Sequence, residues 1–172
     1  MEFFEVLSTR HSIRAYDSRP VEGKKLQQIL EAVDSAPSAG NLQAFEVYLV
    51  CNEGRRTALV RAAGDQEFIA QAPVVLVFCA HAALSEGRYA KRGARLYCIQ
   101  DATIACSFAM LAATAQGLSC VWVGAYDEEQ VRSIIGAPAE HRPVAILPIG
   151  YGAESPRIRS RRGVSSLVHR VD

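Results

Sequence analysis

Val74-Val75-Leu76-Val77-Phe78-Cys79 is an unbroken apolar run of strand length, entered through Ala72-Pro73. A strand with one wet face alternates apolar and polar residues, so a run with no polar member predicts a central strand buried on both faces. Segments on either side fit around it. Residues 45–51 (Phe-Glu-Val-Tyr-Leu-Val-Cys) are rich in β-branched and aromatic side chains and read as a strand. Residues 119–124 and 143–150 read as two more apolar strands. Helical spacing predicts helices at 22–35, 54–63 and 127–135, the last capped by Asp127, with a helical turn at 66–69. The polar, mixed stretch 83–94 reads as a surface loop with some helix. Together these elements predict one α/β sandwich domain over residues 1–172.

The longest helical candidate is 95–116, with Leu96, Ile99, Ala102, Ala105, Phe108, Ala109, Ala112 and Ala115 on a broad face and Gly117 where a helix terminates. Apolar nearly all round, it is expected to be the buried core helix. Ala102, Ala105, Cys106, Ala109, Ala112 and Ala113 are small enough to admit a second helix closely, and a second copy of the chain is the expected cover, giving a homodimer. Arg95, Gln100, Asp101, Ser107 and Gln116 argue against a membrane span.

Composition narrows the function. A chain of 172 residues with 19 Lys and Arg against 18 Asp and Glu has no net basic field for nucleic acid, so any anion site must be local. Met1-Glu2-Phe3-Phe4 lacks the order of a signal peptide, and a cytosolic location is expected. The five cysteines, Cys51, Cys79, Cys98, Cys106 and Cys120, are odd in number and form no C-x-x-C pair; they read as core thiols. Cys79 and His81, two apart at a strand end, do not by themselves make a metal site.

Two arginine clusters stand out. Arg10-His11-Ser12-Ile13-Arg14 follows a short amphipathic helix, and Arg157, Arg159, Arg161 and Arg162 sit in a terminal stretch that reads as an arm laid over a surface. Chain ends often meet in a compact domain, so the two clusters together could hold a phosphate through arginine forks. Pro37-Ser38-Ala39-Gly40-Asn41 is a loop of small residues whose amides could approach a heterocycle. A phosphorylated ring cofactor is the natural occupant. Gly150-Tyr151-Gly152 is not a Rossmann fingerprint, since no third glycine follows and Pro156 stops a helix there. P-loop and nucleophile-elbow motifs are also lacking.

In order, Arg10-His11-Ser12-Ile13-Arg14, Ala36-Pro37-Ser38-Ala39-Gly40-Asn41-Leu42-Gln43, Ala72-Pro73, Gly117-Leu118, Val123-Gly124-Ala125, Leu147-Pro148-Ile149-Gly150-Tyr151 and Arg159-Ser160-Arg161-Arg162 make a chain that resembles the FMN-dependent nitroreductase family over nearly its whole length. The resemblance implies an α+β fold: an α/β/α sandwich with a mostly antiparallel central sheet, a long core helix, an extended C-terminal arm and an intertwined homodimer with FMN at the interface. It further implies that Arg10 and Ser12 contact the flavin phosphate and ribityl chain, with His11 beside them, and that Arg14 polarises the pyrimidine side of the ring. Pro37, Ser38 and Ala39 would reach the ring edge from the partner chain, and Asn41 would bond its polar edge. Val123 and Gly124 would offer backbone near N5, while Arg159 and Arg161 would complete the phosphate site. Gln43-Ala44-Phe45 departs from the family's Gln-Pro-Trp, keeping an aromatic and losing the proline.

The activity so implied is NADH- or NADPH-dependent reduction of a nitroaromatic, a quinone or a similar small acceptor, by alternating hydride transfer through flavin N5. Another flavin chemistry on the same fold, such as dehalogenation, oxidative dehydrogenation or flavin destruction, is the alternative; so is a non-catalytic protein that stores or senses flavin. The resemblance carries no metal and no membrane or nucleic-acid partner.

Overall fold

The computed structural model describes residues 1–171. Four strands, β1 (Phe45–Val50), β2 (Val74–His81), β3 (Ser119–Cys120) and β4 (His141–Gly150), form one sheet in the order β1-β2-β4-β3. All three strand pairs are antiparallel. As its sequence requires, β2 is central and buried on both faces. Helices α1 (Phe3–Thr9), α2 (Gly23–Asp34), α3 (Glu53–Ala62), α4 (Phe68–Gln71), α5 (Ala82–Arg92), α6 (Cys98–Ala115) and α7 (Glu128–Ile135) complete the chain. The even-numbered residues Val74, Leu76 and Phe78 of β2 pack under α2 and α6, and Val75, Val77 and Cys79 pack under α3, α4 and α7. The period of two along one strand thus builds the two layers of an α/β/α sandwich.

Several expectations need correction. Residues 83–94 are not a surface loop: they form α5, broken at Ala90, where φ is 49°. The helix is fixed by contact with the turn after it, for a Cβ on Gly93 would lie 2.4 Å from the Ser85 carbonyl oxygen. The core helix starts after one turn of π-helix, Gly93–Tyr97.

Only Ser119 and Cys120 of 119–124 pair as a strand, although Val123 bonds Ile146 further along in the same register. Between them that register places Val121 opposite Pro148, which has no N–H to donate, and the ladder breaks there.

Of the six small residues of α6, all but the half-buried Ala112 are covered without a second chain. Ala102, Ala105, Cys106, Ala109 and Ala113 are buried within this chain, and they let α6 lie close on the sheet and α2. The helical run Ala82–Ala115 is long and apolar enough to cross a membrane by length and composition, but this face of it packs as a core helix packs. The apolar surface left open lies elsewhere: Phe3, Phe4 and Leu7 of α1 are exposed, and Phe3, Phe108, Leu111, Ala112 and Ala115 line a cavity of about 520 Å³. Residues 155–171 are exposed coil with one turn at Val164–Ser166.

Cys51 is also an exception to the core-thiol reading, since it is exposed and the other four cysteines are buried. Burial pushes the Cys79 and Cys120 thiols up to about 12 and raises those of Cys98 and Cys106. A thiol reagent attacks the thiolate. Ellman's reagent at neutral pH should therefore titrate one thiol rapidly in the native chain and all five only in denaturant; rapid reaction of a second native thiol would contradict the burial of the other four.

Candidate functional site

The two arginine clusters meet. Residues 12–17 run as an irregular extended segment beside the sheet: the Ile13 amide donates to the Cys120 carbonyl at 3.3 Å, and the Asp17 amide to the Tyr151 carbonyl at 3.0 Å. In return the Ala153 amide donates to the Ala15 carbonyl at 2.9 Å. Ile13 and Tyr16 turn inward and are buried, which leaves the polar members of the cluster outward. The Tyr16 hydroxyl donates to the Ile13 carbonyl at 2.8 Å and lies 3.3 Å from that of Pro148, so it occupies the acceptor that the β3–β4 break leaves open. Burial raises the Tyr16 phenol far above its usual range and keeps it a donor. Gly152 permits the approach, because a Cβ there would stand 2.7 Å from Ser119 Oγ and 3.2 Å from Ile13 Cγ2.

This pairing carries the end of β4 directly past the N-terminal cluster. A cavity of about 190 Å³ results, lined by Arg10, His11, Ser12, Arg14, Arg157, Ile158, Arg159 and Arg161. Among the described residues none of its five arginines makes an ion pair with a carboxylate. The Arg14 amide donates to Glu154, which ties the first cluster to the arm, and Arg161 Nη1 donates to the Arg159 carbonyl at 3.2 Å. His11 Nδ1 lies 2.8 Å from the Thr9 carbonyl, so that nitrogen donates to backbone and Nε2 is the one left for other partners.

Pro37, Ser38, Ala39 and Asn41 do not line this cavity, nor do Val123 and Gly124. The loop is held at the other end of α6. Its Ala39 amide donates to Asp101 Oδ1 at 2.9 Å, and the Gln43 amide to Ser38 Oγ at 2.9 Å. Gly40, Asn41 and Gln43 all have φ between 50° and 58°, a left-handed path that glycine and asparagine accept more readily than glutamine. Arg88 Nη1 donates to the Gly40 carbonyl, and a Cβ on Gly40 would lie 2.4 Å from the Tyr89 hydroxyl, so α5 rests directly on the loop. The Val123 amide and carbonyl are both taken by Ile146, so any backbone contribution from that pair falls to Gly124.

Asp101 and the Arg88-Tyr89 pair were not singled out as site residues by sequence. The available signal was Asp101 itself, the one carboxylate in an apolar helix, here buried with Oδ2 unpartnered among the described residues.

A family model described as the nitroreductase family matches residues 7–66 and 53–151. The chain belongs to the nitroreductase family. It is 31% identical to an FMN reductase [NAD(P)H] of Bacillus subtilis, over 98% of this chain and 73% of that one. It is 34% identical to an NADH dehydrogenase of Thermus thermophilus, over 84% of each. The structure of a hypothetical oxidoreductase from Bacillus subtilis superposes with a TM-score of 0.89 at 31% identity, over 99% of this chain and 74% of that one. Nitroreductase membership brings oxidoreductase chemistry in general terms and leaves the substrate open.

The Tyr16 hydroxyl is the test of how the two clusters are joined. Tyr16→Phe strips a donor from buried carbonyls and should cost about 1–3 kcal/mol in urea unfolding. A loss below ~0.5 kcal/mol would mean that the junction does not depend on it.

Proposed function

We propose that this nitroreductase-family chain is an FMN-dependent NAD(P)H oxidoreductase that reduces small acceptors such as nitroaromatics or quinones, working as a cytosolic homodimer. The observation that carries the proposal is the cavity in which arginines from both ends of the chain converge, without carboxylate partners among the described residues. Five cations that share one cavity repel one another, and a dianionic phosphate is the group whose several oxygens can take charge-assisted bonds from several forks at once. The donor set thus fits the FMN phosphate: Arg10, Arg159 and Arg161 would hold it, with the Ser12 hydroxyl and His11 at its side.

When bound, the flavin supplies hydride acceptance from a reduced nicotinamide and hydride delivery to the second substrate. The chain's residues orient and polarise. Arg14, in the cavity but at the far end of the first cluster, would lie toward the pyrimidine ring and stabilise the negative charge that gathers at N1 and O2 on reduction. Asp101 would fix the Pro37–Asn41 loop through the Ala39 amide, so that Pro37, Ser38, Ala39 and Asn41 meet the ring of the partner's flavin as a preformed edge. The open apolar surface of Phe3, Phe4, Leu7, Phe108 and Leu111 is the area a second copy would cover, in place of the small face of α6. Five free cysteines accord with a reducing compartment.

Purified protein should be yellow, release FMN on heating and be bleached anaerobically by NADH or NADPH; recovered FAD, or FMN that neither nicotinamide reduces, would overturn the reading. Arg10→Ala and Arg161→Ala should each weaken FMN by about 1.5–3 kcal/mol while leaving riboflavin affinity nearly unchanged. Arg14→Ala should weaken riboflavin about as much as FMN and lower the flavin's reduction potential. An Arg14→Ala effect confined to FMN would move that residue to the phosphate.

A further inference from the structure

Three strands end together on the face of the sheet opposite α6. The register pairs His81 of β2 with His141 of β4, and two positions further in, Glu46 of β1 with Cys79. A bulge between Phe78 and Cys79 restores the two histidines to a common face with Tyr48 and Glu46. His81 Nδ1 lies 3.1 Å from Glu46 Oε1, and the two imidazole rings stand with centroids 4.5 Å apart at 56°. One potential ligand atom from each of Glu46, His81 and His141 lies within 4.8 Å of the other two.

We propose that Glu46, His81 and His141 form a binding site for a divalent transition-metal ion of the zinc type, clamping β1, β2 and β4 together. Two imidazoles and a carboxylate are a donor set that zinc takes, with bonds of about 2.0–2.2 Å and hence neighbouring ligand atoms roughly 3.4 Å apart. The Glu46–His81 separation already matches that edge, and a small turn of the side chains brings the third atom in. The ion pair Glu46 makes among the described residues is with His81, whose ring is neutral when it ligates, and the nearby Arg142 fork is committed to Glu128 at 2.8 and 3.0 Å. The carboxylate is therefore available to an ion.

A side chain placed to orient one of the ligands is also present. The Tyr48 hydroxyl sits 2.6 Å from His141 Nδ1, a contact that fixes the ring and, when Nδ1 carries the proton, leaves Nε2 free to ligate. The His81 side chain is 18% exposed and that of Glu46 42%, so an ion can enter and a water can fill the fourth position. His81 also stands at the start of α5, the helix that rests on Gly40. A bound ion would thus stiffen the root of that helix.

The test is a titration of tag-free full-length protein, flavin-loaded as purified and with Cys51 alkylated, with Co²⁺ and with Zn²⁺. One Co²⁺ per chain should bind with the intense visible d–d bands of a four-coordinate site, Zn²⁺ should displace it, and a hundredfold Zn²⁺ excess over the dissociation constant should raise the melting temperature by roughly 5–10 °C. His81→Gln and His141→Gln should each weaken Co²⁺ more than about 100-fold, and Tyr48→Phe, which leaves all three ligands in place, roughly 10-fold. Wild-type protein that takes up no Co²⁺ would overturn the site without any variant; so would uptake that the His81→Gln/His141→Gln double variant leaves unchanged. In either case the cluster is a hydrogen-bonded network alone.

Discussion

The rest of this molecule depends on the pairing of residues 12–17 with residues 151–153. The Asp17 to Tyr151 and Ala153 to Ala15 hydrogen bonds join segments that are far apart in sequence, and ordering them costs backbone entropy of roughly 1–2 kcal/mol per residue. What offsets that cost is burial of Ile13 and Tyr16 against Gly150, Gly152 and the gap beside Pro148. The lack of a proline amide in β4 and the presence of a tyrosine in an irregular segment are therefore complementary: one breaks the ladder between Val121 and Pro148, and the other donates to the Pro148 carbonyl beside the break. Once the pairing is made, the placement of Arg10 and Arg14 beside the arm's arginines is a geometric consequence.

That placement works against stability in the isolated chain. Unit charges a few ångströms apart repel by about 1 kcal/mol in water and by several times that near a protein surface, so five arginines that find no carboxylate among the described residues are held round one cavity by the fold and not by one another. A dianion entering the cavity would reverse the sign of the local balance. Binding would then also tie down the arm, whose described side chains are exposed.

How legible this was in the sequence follows from the range of each interaction. Local pattern sufficed for β2, whose apolar run admits one reading, and for α7, where Asp127 caps the helix by accepting from the Gln130 amide. It failed at 83–94, because α5 is stabilised by the Ser85–Gly93 approach and by Gly40, contacts that its own polar pattern does not announce. The alanines of α6 were correctly read as a close-packing face, but composition alone does not say whether sheet or partner fills it; here the sheet does. The two basic clusters were visible as clusters, whereas the hydrogen bonds that unite them belong to backbone and were not. Glu46, His81 and His141 carried no spacing signal at all, since only the strand register makes neighbours of them.

The central claim is that both ends of the chain hold one phosphate, and a double-mutant cycle on FMN affinity tests it most directly. Donors that share one phosphate are coupled: removing Arg10 lets the group shift toward the remaining forks and changes what Arg161 contributes. The account predicts that Arg10→Ala, Arg161→Ala and the double variant, each compared with wild type by titration of the apo-protein, yield a coupling on the order of 0.5–3 kcal/mol. Effects that add within ~0.3 kcal/mol would mean that the two arginines act at separate places, and the convergence of the chain ends would not be a phosphate site.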